Sequence, residues 1–544
     1  MTEQGRESSG EIERYFHGTP GTEILFDDSS KHGAVSDRLH QLKHRTKGDS
    51  RMLLVPQPSI NDPNDPLRWP AWKKNLVFFN GCWYAFMGAI TGPIMAAGME
   101  QLSVTFGKSL QTLTYANGAC LINQGVWNCV WMPFAVKYGR RPIYLFSNLL
   151  MGIACIWLAV ASDKTYLVFL VGRAFLGAFQ APIESIVPAT VTDMFFLHHR
   201  GELVAIYGLA VLGGNELGPM FSGLIVQDLG MGWAFWIVTI FVFVNLICMF
   251  FFMPETKYTG PRPDPLNVNS STGDSSDDQK GRVVVADEAS PVPQRSFVQE
   301  LQFWSRGDPD VNLAHIFMRP FVLLAYPTVV WSCFIYGLAL SWNVILGATV
   351  AQLFAPPPYG FNSRNQGLFF LSPFMGSLFG VFFSGPGGDW IANLFTKRNH
   401  GVREPEMRLP ICLLAAFFTF FGALWFALAY EHQMHWMMPV VGAGILSVGS
   451  QMGTTLGMNY ALDCHKELSV EIMITIAALK SCIAWIWTWV INDFITASGV
   501  LSVFMTVATI NVVIYLFCIP FNLKGKQVRI WLHKKNFLQA AGLL

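Results

Sequence analysis

The sequence predicts an all-α membrane protein with twelve transmembrane helices in two six-helix halves. Three observations predict it. Of 544 residues, 52% are hydrophobic and only 13% charged, against about a quarter charged in a soluble domain. About twelve apolar runs reach the roughly 20 residues that a membrane helix needs. A polar stretch divides them six and six.

The runs fall near 75–99, 112–136, 142–162, 166–193, 203–226 and 231–253, then near 320–350, 365–388, 409–430, 434–461, 468–491 and 500–522. The linker at 255–318 is rich in Pro, Ser, Asp and Gly and has no helical period, so it reads as cytosolic and disordered. Residues 1–74 read the same way: they are polar and carry no apolar signal run. Their last part, "DPNDPLRWPAWKK", sets Trp69 and Trp72 at headgroup level and Lys73 and Lys74 on the cytosolic side. A short tail at 523–544 closes the chain. Six spans, a linker and six spans form the plan of carriers built from two parallel repeats around a central site.

Basic residues orient the spans. With the N-terminus inside, the inner connections hold Lys137, Arg140, Arg141, Arg200, Lys397, Arg398, Arg403, Arg408 and Lys466, and the tail holds Lys524, Lys526 and Arg529. The outer connections hold only Lys108, Lys164 and Arg364. Both termini are therefore expected in the cytosol.

Polar residues inside apolar spans mark candidate sites, because a charge at membrane depth costs roughly 2.5–3.5 kcal/mol on insertion scales. Glu216, in "GGNELGPMFSG", is one. Arg173 and Glu184 share a face of the fourth span, but eleven residues of helix separate them by about 16 Å, so each needs its own partner. Pro182 and Pro188 bracket Glu184 and loosen the helix there. Lys480 is the interior cation of the second half, suited to neutralise a carboxylate or meet an anionic substrate. Trp83, Trp127, Tyr336 and Trp485 are candidate cavity walls for a bulky organic molecule.

Small residues recur every four positions at Ala210, Gly214, Gly218 and Ser222, and again at Gly376, Gly380, Ser384 and Gly388. Each set lies on one helix face and permits close approach. Occurring once per half, they are expected to form a sliding interface between the halves. Pro219 leaves the carbonyl of Asn215 without its helical partner, and Glu216 points away from the small-residue face. In "KYGRRP", a tight turn at Gly139 holds Lys137, Arg140 and Arg141 where they meet helix ends and carboxylates.

These motifs resemble the major facilitator superfamily, in particular a fungal branch of its twelve-helix drug:proton antiporters. The resemblance runs from about residue 50 to the end and rests on "DPNDPLRWPAWKK", "KYGRRP", "RAFLG" at Arg173 to Gly177, and "GNELGPMFSG". The chain departs from the family loop at Met132 and Val136, where Gly and Asp are usual, while Asp389 in "GPGGDW" keeps the corresponding acid of the second half. Ala205 and Ser222 replace glycines of the fifth-span motif, and His199 stands where the family has Glu. The resemblance implies a major facilitator fold and a proton-coupled carrier of small organic molecules working by alternating access. Glu184 and Glu216 would be the proton or substrate groups, with Arg173 organising the pathway. It further implies a plasma-membrane location, with the vacuolar membrane as alternative.

Export of secondary metabolites, toxins or drugs is the expected direction. Import of polyamines or other organic cations is the alternative, and a non-transporting nutrient sensor a lesser one. The chain carries no HExxH, P-loop or GxSxG motif and no His or Cys cluster of metal spacing, so neither catalysis nor a cofactor or metal is expected. The ten cysteines are scattered singly and read as small buried apolar residues. The protein is expected to act as a monomer whose partners are a small molecule, protons and the bilayer, without nucleic acid. "SSTGDSSDDQK" at 270–280 offers a phosphorylation segment, and Asn269 an acceptor sequon expected to stay unmodified in the cytosol.

Overall fold

The computed structural model describes residues 23–24, 44–47, 50–53, 58–59, 62–258, 260, 295–303, 312–399, 402–465, 468–535 and 537–543, with the side chains of 23–24, 44–47, 50–53, 197–202, 298, 402–403, 538 and 540 excepted. The candidate modification segment at 269–280, Lys466, the side chains of His199 and Arg200, and most of the linker and first segment lie outside the described residues.

Among the described residues, twelve long helical segments follow one another: α1 (Ala71–Thr91), α2 (Leu110–Tyr138), α3 (Arg140–Ala161), α4 (Tyr166–Met194), α5 (Leu197–Leu229), α6 (Met231–Phe252), α7 (Pro327–Phe354), α8 (Ser363–Arg398), α9 (Ile411–Glu431), α10 (Met437–Cys464), α11 (Ser469–Ser498) and α12 (Val500–Lys535). Nine of them are long and apolar enough to cross a membrane by length and composition; α1, α2 and α10 are the less apolar three. Their composition explains this, since α2 carries Gln111, Asn117, Asn123, Gln124 and Asn128, and α10 is rich in Gly, Ser and Thr. Such residues require neighbours instead of lipid.

α1 to α6 pack among themselves, as do α7 to α12, and each set has its own apolar core. Among the described residues, β structure is confined to two small antiparallel pairings, Glu23–Ile24 with Val402–Arg403 and His44–Lys47 with Ser50–Leu53. Part of the first segment is thus paired backbone.

The halves meet along two seams, α2 against α11 and α5 against α8. An even number of spans places both termini at one end of the bundle, the terminal face; the opposite end is the far face. At the far end of the first seam, Gln111 donates through Nε2 to the carbonyls of Thr488 (2.9 Å) and Trp489 (3.0 Å). Its Oε1 accepts from the amide of Asn492 at 3.1 Å, and Asn492 Nδ2 donates to Thr114 Oγ1 at 2.8 Å. At the far end of the second seam, Gly223 and Gly367 touch back to back. A Cβ on Gly223 would lie 2.6 Å from Ser363 O and 2.8 Å from Gly367 Cα. Gln366 adds a hydrogen bond to Glu100 at 3.2 Å.

The small-residue ladders have other partners than the sequence suggested. Gly214 and Gly218 approach the α1 backbone, where a Cβ on Gly214 would lie 2.6 Å from Phe86 O. Gly376 and Gly380 approach α10, and a Cβ on Gly376 would lie 2.0 Å from Gly444 O. Ser222 and Ser384 bond back to their own helices, to Pro219 O and Gly380 O. Both ladders therefore weld helices within a half. The seam between halves uses the glycines one step along, and Pro219 contributes to it a carbonyl that packs on Gly367.

Candidate functional site

At the junction of the halves lies a cavity of about 90 Å³ walled by α1, α2, α4, α5, α7, α8 and α11. Glu184, Glu216 and Lys480 all line it, together with Asn117, Gln124, Gln180, Asn215 and Asn343; Gly88, Met95, Leu340 and Phe370 are among its apolar surfaces. This is space for on the order of a few waters.

Glu184 and Lys480 form an ion pair across the junction, from α4 to α11. Both are largely buried, and Gln124 Nε2 donates to the same Glu184 oxygen at 3.1 Å. Lys480 Nζ also lies 5.6 Å from the centre of the Tyr336 ring. In surroundings of low dielectric, breaking such a pair from one side leaves an uncompensated charge and costs about 3–5 kcal/mol.

Why Glu184 stands here follows from its prolines. Pro182 has no amide hydrogen for the carbonyl of Ala178, and Pro188 has none for that of Glu184. Aromatic donors replace both: Trp131 Nε1 bonds Ala178 O at 2.8 Å, and the Tyr207 hydroxyl reaches Glu184 O at 3.1 Å and Ile183 O at 3.2 Å. α4 is consequently interrupted between Gln180 and Ile183, and the held kink presents Glu184 to the junction. The sequence does not pick out Trp131 and Tyr207 unless each proline is followed back four residues to the carbonyl it orphans.

Arg173 does not line the cavity but stands behind it, fully buried. It donates to the carbonyls of Thr91 (2.6 Å) and Gly92 (2.7 Å) and to Asn117 Oδ1 (2.8 Å). Here α1 ends and a 3₁₀ turn, Pro93–Gly98, begins, so the cation meets the negative end of a broken helix. Thr91 bonds Gln180, Gln180 bonds Gln124 (3.4 Å), and Gln124 bonds Glu184. A polar chain thus links Arg173 to the ion pair. The separate partners expected for Arg173 and Glu184 are both present.

Glu216 is 1% exposed. Ser377 of α8 donates to its Oε1 at 2.8 Å across the second seam, and its Oε2 accepts no hydrogen bond. Of the four candidate wall aromatics, none lines the cavity. Tyr336 flanks Lys480, Trp485 packs at Gly118 in the first seam, Trp83 stacks edge-on with Phe79, and Trp127 is 39% exposed. The wall is made instead of amides, small residues and aliphatic side chains such as Met95, Leu121 and Leu340, with Phe370 as its aromatic member.

The "KYGRRP" turn lies at the terminal face. Gly139 adopts φ 101°, ψ 171°, a conformation that favours glycine, and Lys137 closes the last turn of α2. The amides of Arg140 and Arg141 donate to the Glu255 carboxylate (2.8 and 3.1 Å), Arg140 Nε pairs with Asp193 at 3.2 Å, and Arg141 holds the carbonyls of Phe250 and Met253. Burial raises the Glu255 carboxyl, while the amide donors and Arg140 act against it. The carboxylates that meet this turn are Asp193 and Glu255, while the carbonyl of Val136 accepts from Lys257 Nζ at 2.6 Å. In the second half, Arg408 joins Asp389 to Asp463. Arg140–Asp193 ties the start of α3 to the end of α4, and Arg408–Asp463 ties the 3₁₀ turn before α9 to the end of α10.

The model of the Major Facilitator Superfamily matches residues 77–488. An uncharacterized MFS-type transporter of Schizosaccharomyces pombe is 24% identical over 97% of this chain and 95% of its own length. Protein HOL1 of Saccharomyces cerevisiae is 23% identical over 96% and 97%. Among solved structures, a D-xylose-proton symporter superposes with a TM-score of 0.55 at 12% identity, covering 82% of this chain and 97% of that one, a likeness of fold alone. A two-half helical fold, a cavity at the junction and a family match across most of the length lead to one conclusion: the chain belongs to the Major Facilitator Superfamily, the membrane transporters.

Proposed function

We propose that the protein is a proton-coupled secondary transporter that exports small organic molecules, such as secondary metabolites, toxins or drugs, by alternating access. The observation that carries this reading is the Glu184–Lys480 pair bridging the halves inside the cavity, with Glu216 beside it. Protonation of Glu184 removes the charge that holds Lys480, so the halves separate more readily. Deprotonation restores the bridge. Glu216 carries a second proton at the other seam, where Ser377 is its cross-half partner. Arg173 organises the chain through Gln180 and Gln124, and the Lys137–Arg141 turn with Asp389 steadies the terminal face in each half. The reading requires no covalent chemistry, cofactor or metal. The plasma membrane is the proposed location, with both termini in the cytosol.

The test is accumulation of a panel of labelled compounds in cells expressing the wild type or Glu216→Gln, with and without a protonophore. Wild type should lower accumulation of at least one compound, and both the mutation and the protonophore should abolish that. Export that persists at full rate in the presence of the protonophore rejects proton coupling.

One observation favours import of an organic cation as the second reading. Lys480 balances Glu184, which leaves Glu216 as an unbalanced acid on the wall. Proton-dependent rise in the content of a labelled amine, lost in Glu216→Gln, would decide for it.

A further inference from the structure

The 3₁₀ turn Pro93–Gly98, which follows α1 at the far end, forms part of the junction cavity's wall through Pro93, Met95 and Ala96. Its other sides are wedged between the halves. Ala96 is buried in an apolar core of the second half, and a Cβ on Gly347 of α7 would lie 3.8 Å from it. A Cβ on Gly223, at the second seam, would lie 3.1 Å from Ala97, and one on Gly98 would lie 2.9 Å from Met231 of α6. Beyond the turn, Glu100 accepts from Gln366 of α8. The turn is therefore a plug between the cavity and the far face, and the far end opens only when Ala96 leaves the second half.

The plug begins where the polar chain from Glu184 ends. Gln124 donates to Glu184 and accepts from Gln180 Nε2 at 3.4 Å, whose second hydrogen meets Cys120 Sγ at 3.4 Å. Gln180 Oε1 accepts in turn from the Thr91 hydroxyl. Both amides thus direct their N–H groups toward the carboxylate and their oxygens back toward α1. The Thr91 hydroxyl has one hydrogen and two acceptors, Gln180 Oε1 on α4 and the carbonyl of Gly88 in its own helix at 2.6 Å. That choice is a two-state element at the last residue before the plug.

We propose that Gln124, Gln180 and Thr91 are positioning residues that carry the charge state of Glu184 to the Pro93–Gly98 plug, so that the far face unlocks when Glu184 is neutral. This rests on the reading of Glu184 as a proton group. An ionised Glu184 polarises the two amides in series, and the Gln180 oxygen draws the Thr91 hydrogen, tying the end of α1 to α4. A neutral Glu184 exerts no such pull. The hydrogen returns to Gly88, and Arg173 alone holds the end of α1 through the carbonyls of Thr91 and Gly92.

The test reads amide hydrogen exchange by mass spectrometry in the full-length protein in nanodiscs, at residues 94–98 and, for reference, at the Gln111–Asn492 clasp. Glu184→Gln should speed exchange at the plug by about fivefold or more. In a Thr91→Val chain, and in a Gln180→Met chain, the same substitution should change it by less than about twofold. Thr91→Ser keeps the hydroxyl and should keep the full response, which a merely structural role for Thr91 does not require. A full response in both Thr91→Val and Gln180→Met overturns the proposal. So does a lost response in Thr91→Ser, no response to Glu184→Gln at all, or equal speeding at the clasp, which marks a general parting of the halves. Transport by the wild type that persists under a protonophore strikes the proton reading instead, and the exchange cycle still decides the relay.

Discussion

Gly223→Ala should prise the far face open. The added Cβ would stand 2.6 Å from Ser363 O and 2.8 Å from Gly367 Cα, where ordinary contact begins at 3.4 Å. Both obstacles are backbone, so no rotamer change relieves them, and α5 and α8 must part by up to about 0.8 Å. Overpacking of this order costs about 1–3 kcal/mol, and it falls only on the conformation in which the far end is closed. At about 1.4 kcal/mol the ratio of far-open to far-closed molecules rises about tenfold. Spin labels at Lys164→Cys and Glu431→Cys, exposed far-face positions on opposite halves, report the change as a longer-distance population in electron double resonance, in a chain whose ten native cysteines are replaced. Gly376→Ala is the control: its clash, with Gly444 O, lies within one half, so it should lower thermal stability without moving the distances. A distance distribution for Gly223→Ala identical to that of wild type refutes the seam as described.

Three further outcomes are expected. Lys480→Met, which leaves Glu184 buried without its partner, should abolish transport and cost about 3–5 kcal/mol when the carboxyl is ionised, and Glu184→Gln in the same chain should recover stability but not transport, as read by thermal unfolding and uptake. Trp131→Phe and Tyr207→Phe each strip a donor from a carbonyl orphaned by proline and should cost about 1–3 kcal/mol, and a Pro182→Ala partner should offset the loss for Trp131→Phe alone. At the terminal face, burial, with Arg529 as a lesser cause, lowers the His465 imidazole from 6.5 to about 4, with Thr328 Oγ1 on its Nε2 and the Tyr326 ring against it. The native state keeps this ring neutral while the unfolded chain protonates near 6.5, so stability is intact above that pH and falls by about 3 kcal/mol as pH drops from 6.5 to 4. His465→Gln should flatten that part of the pH–stability curve.

The all-helical membrane fold is legible in the sequence because the requirement for about 20 apolar residues acts on each span separately, and nine helices among the described residues meet it. Glu184, Glu216 and Lys480 are legible as costly groups at depth, and the cavity indeed holds all three. Their pairing is not, because it joins α4 to α11 across a sequence separation of 296. The small-residue ladders were read for close approach correctly and for partner wrongly: a four-residue period states that a face is flat, and Gly214 and Gly376 find α1 and α10 as readily as they would a helix of the other half. The aromatic wall fails for a related reason, since a Trp in a span is equally at home on an exposed face, as Trp127 is, or in a seam, as Trp485 is. Amides such as Asn117, Gln180 and Asn343 were the better signal, since lipid offers them no partner.

The clasp between α2 and α11, built from Gln111, Thr114 and Asn492 bonded to each other and to bare backbone, contains no formal charge. Its breaking and making therefore move nothing that a transmembrane voltage can act on. A voltage-clamp record of this protein would therefore carry no signal from the making or breaking of this clasp itself.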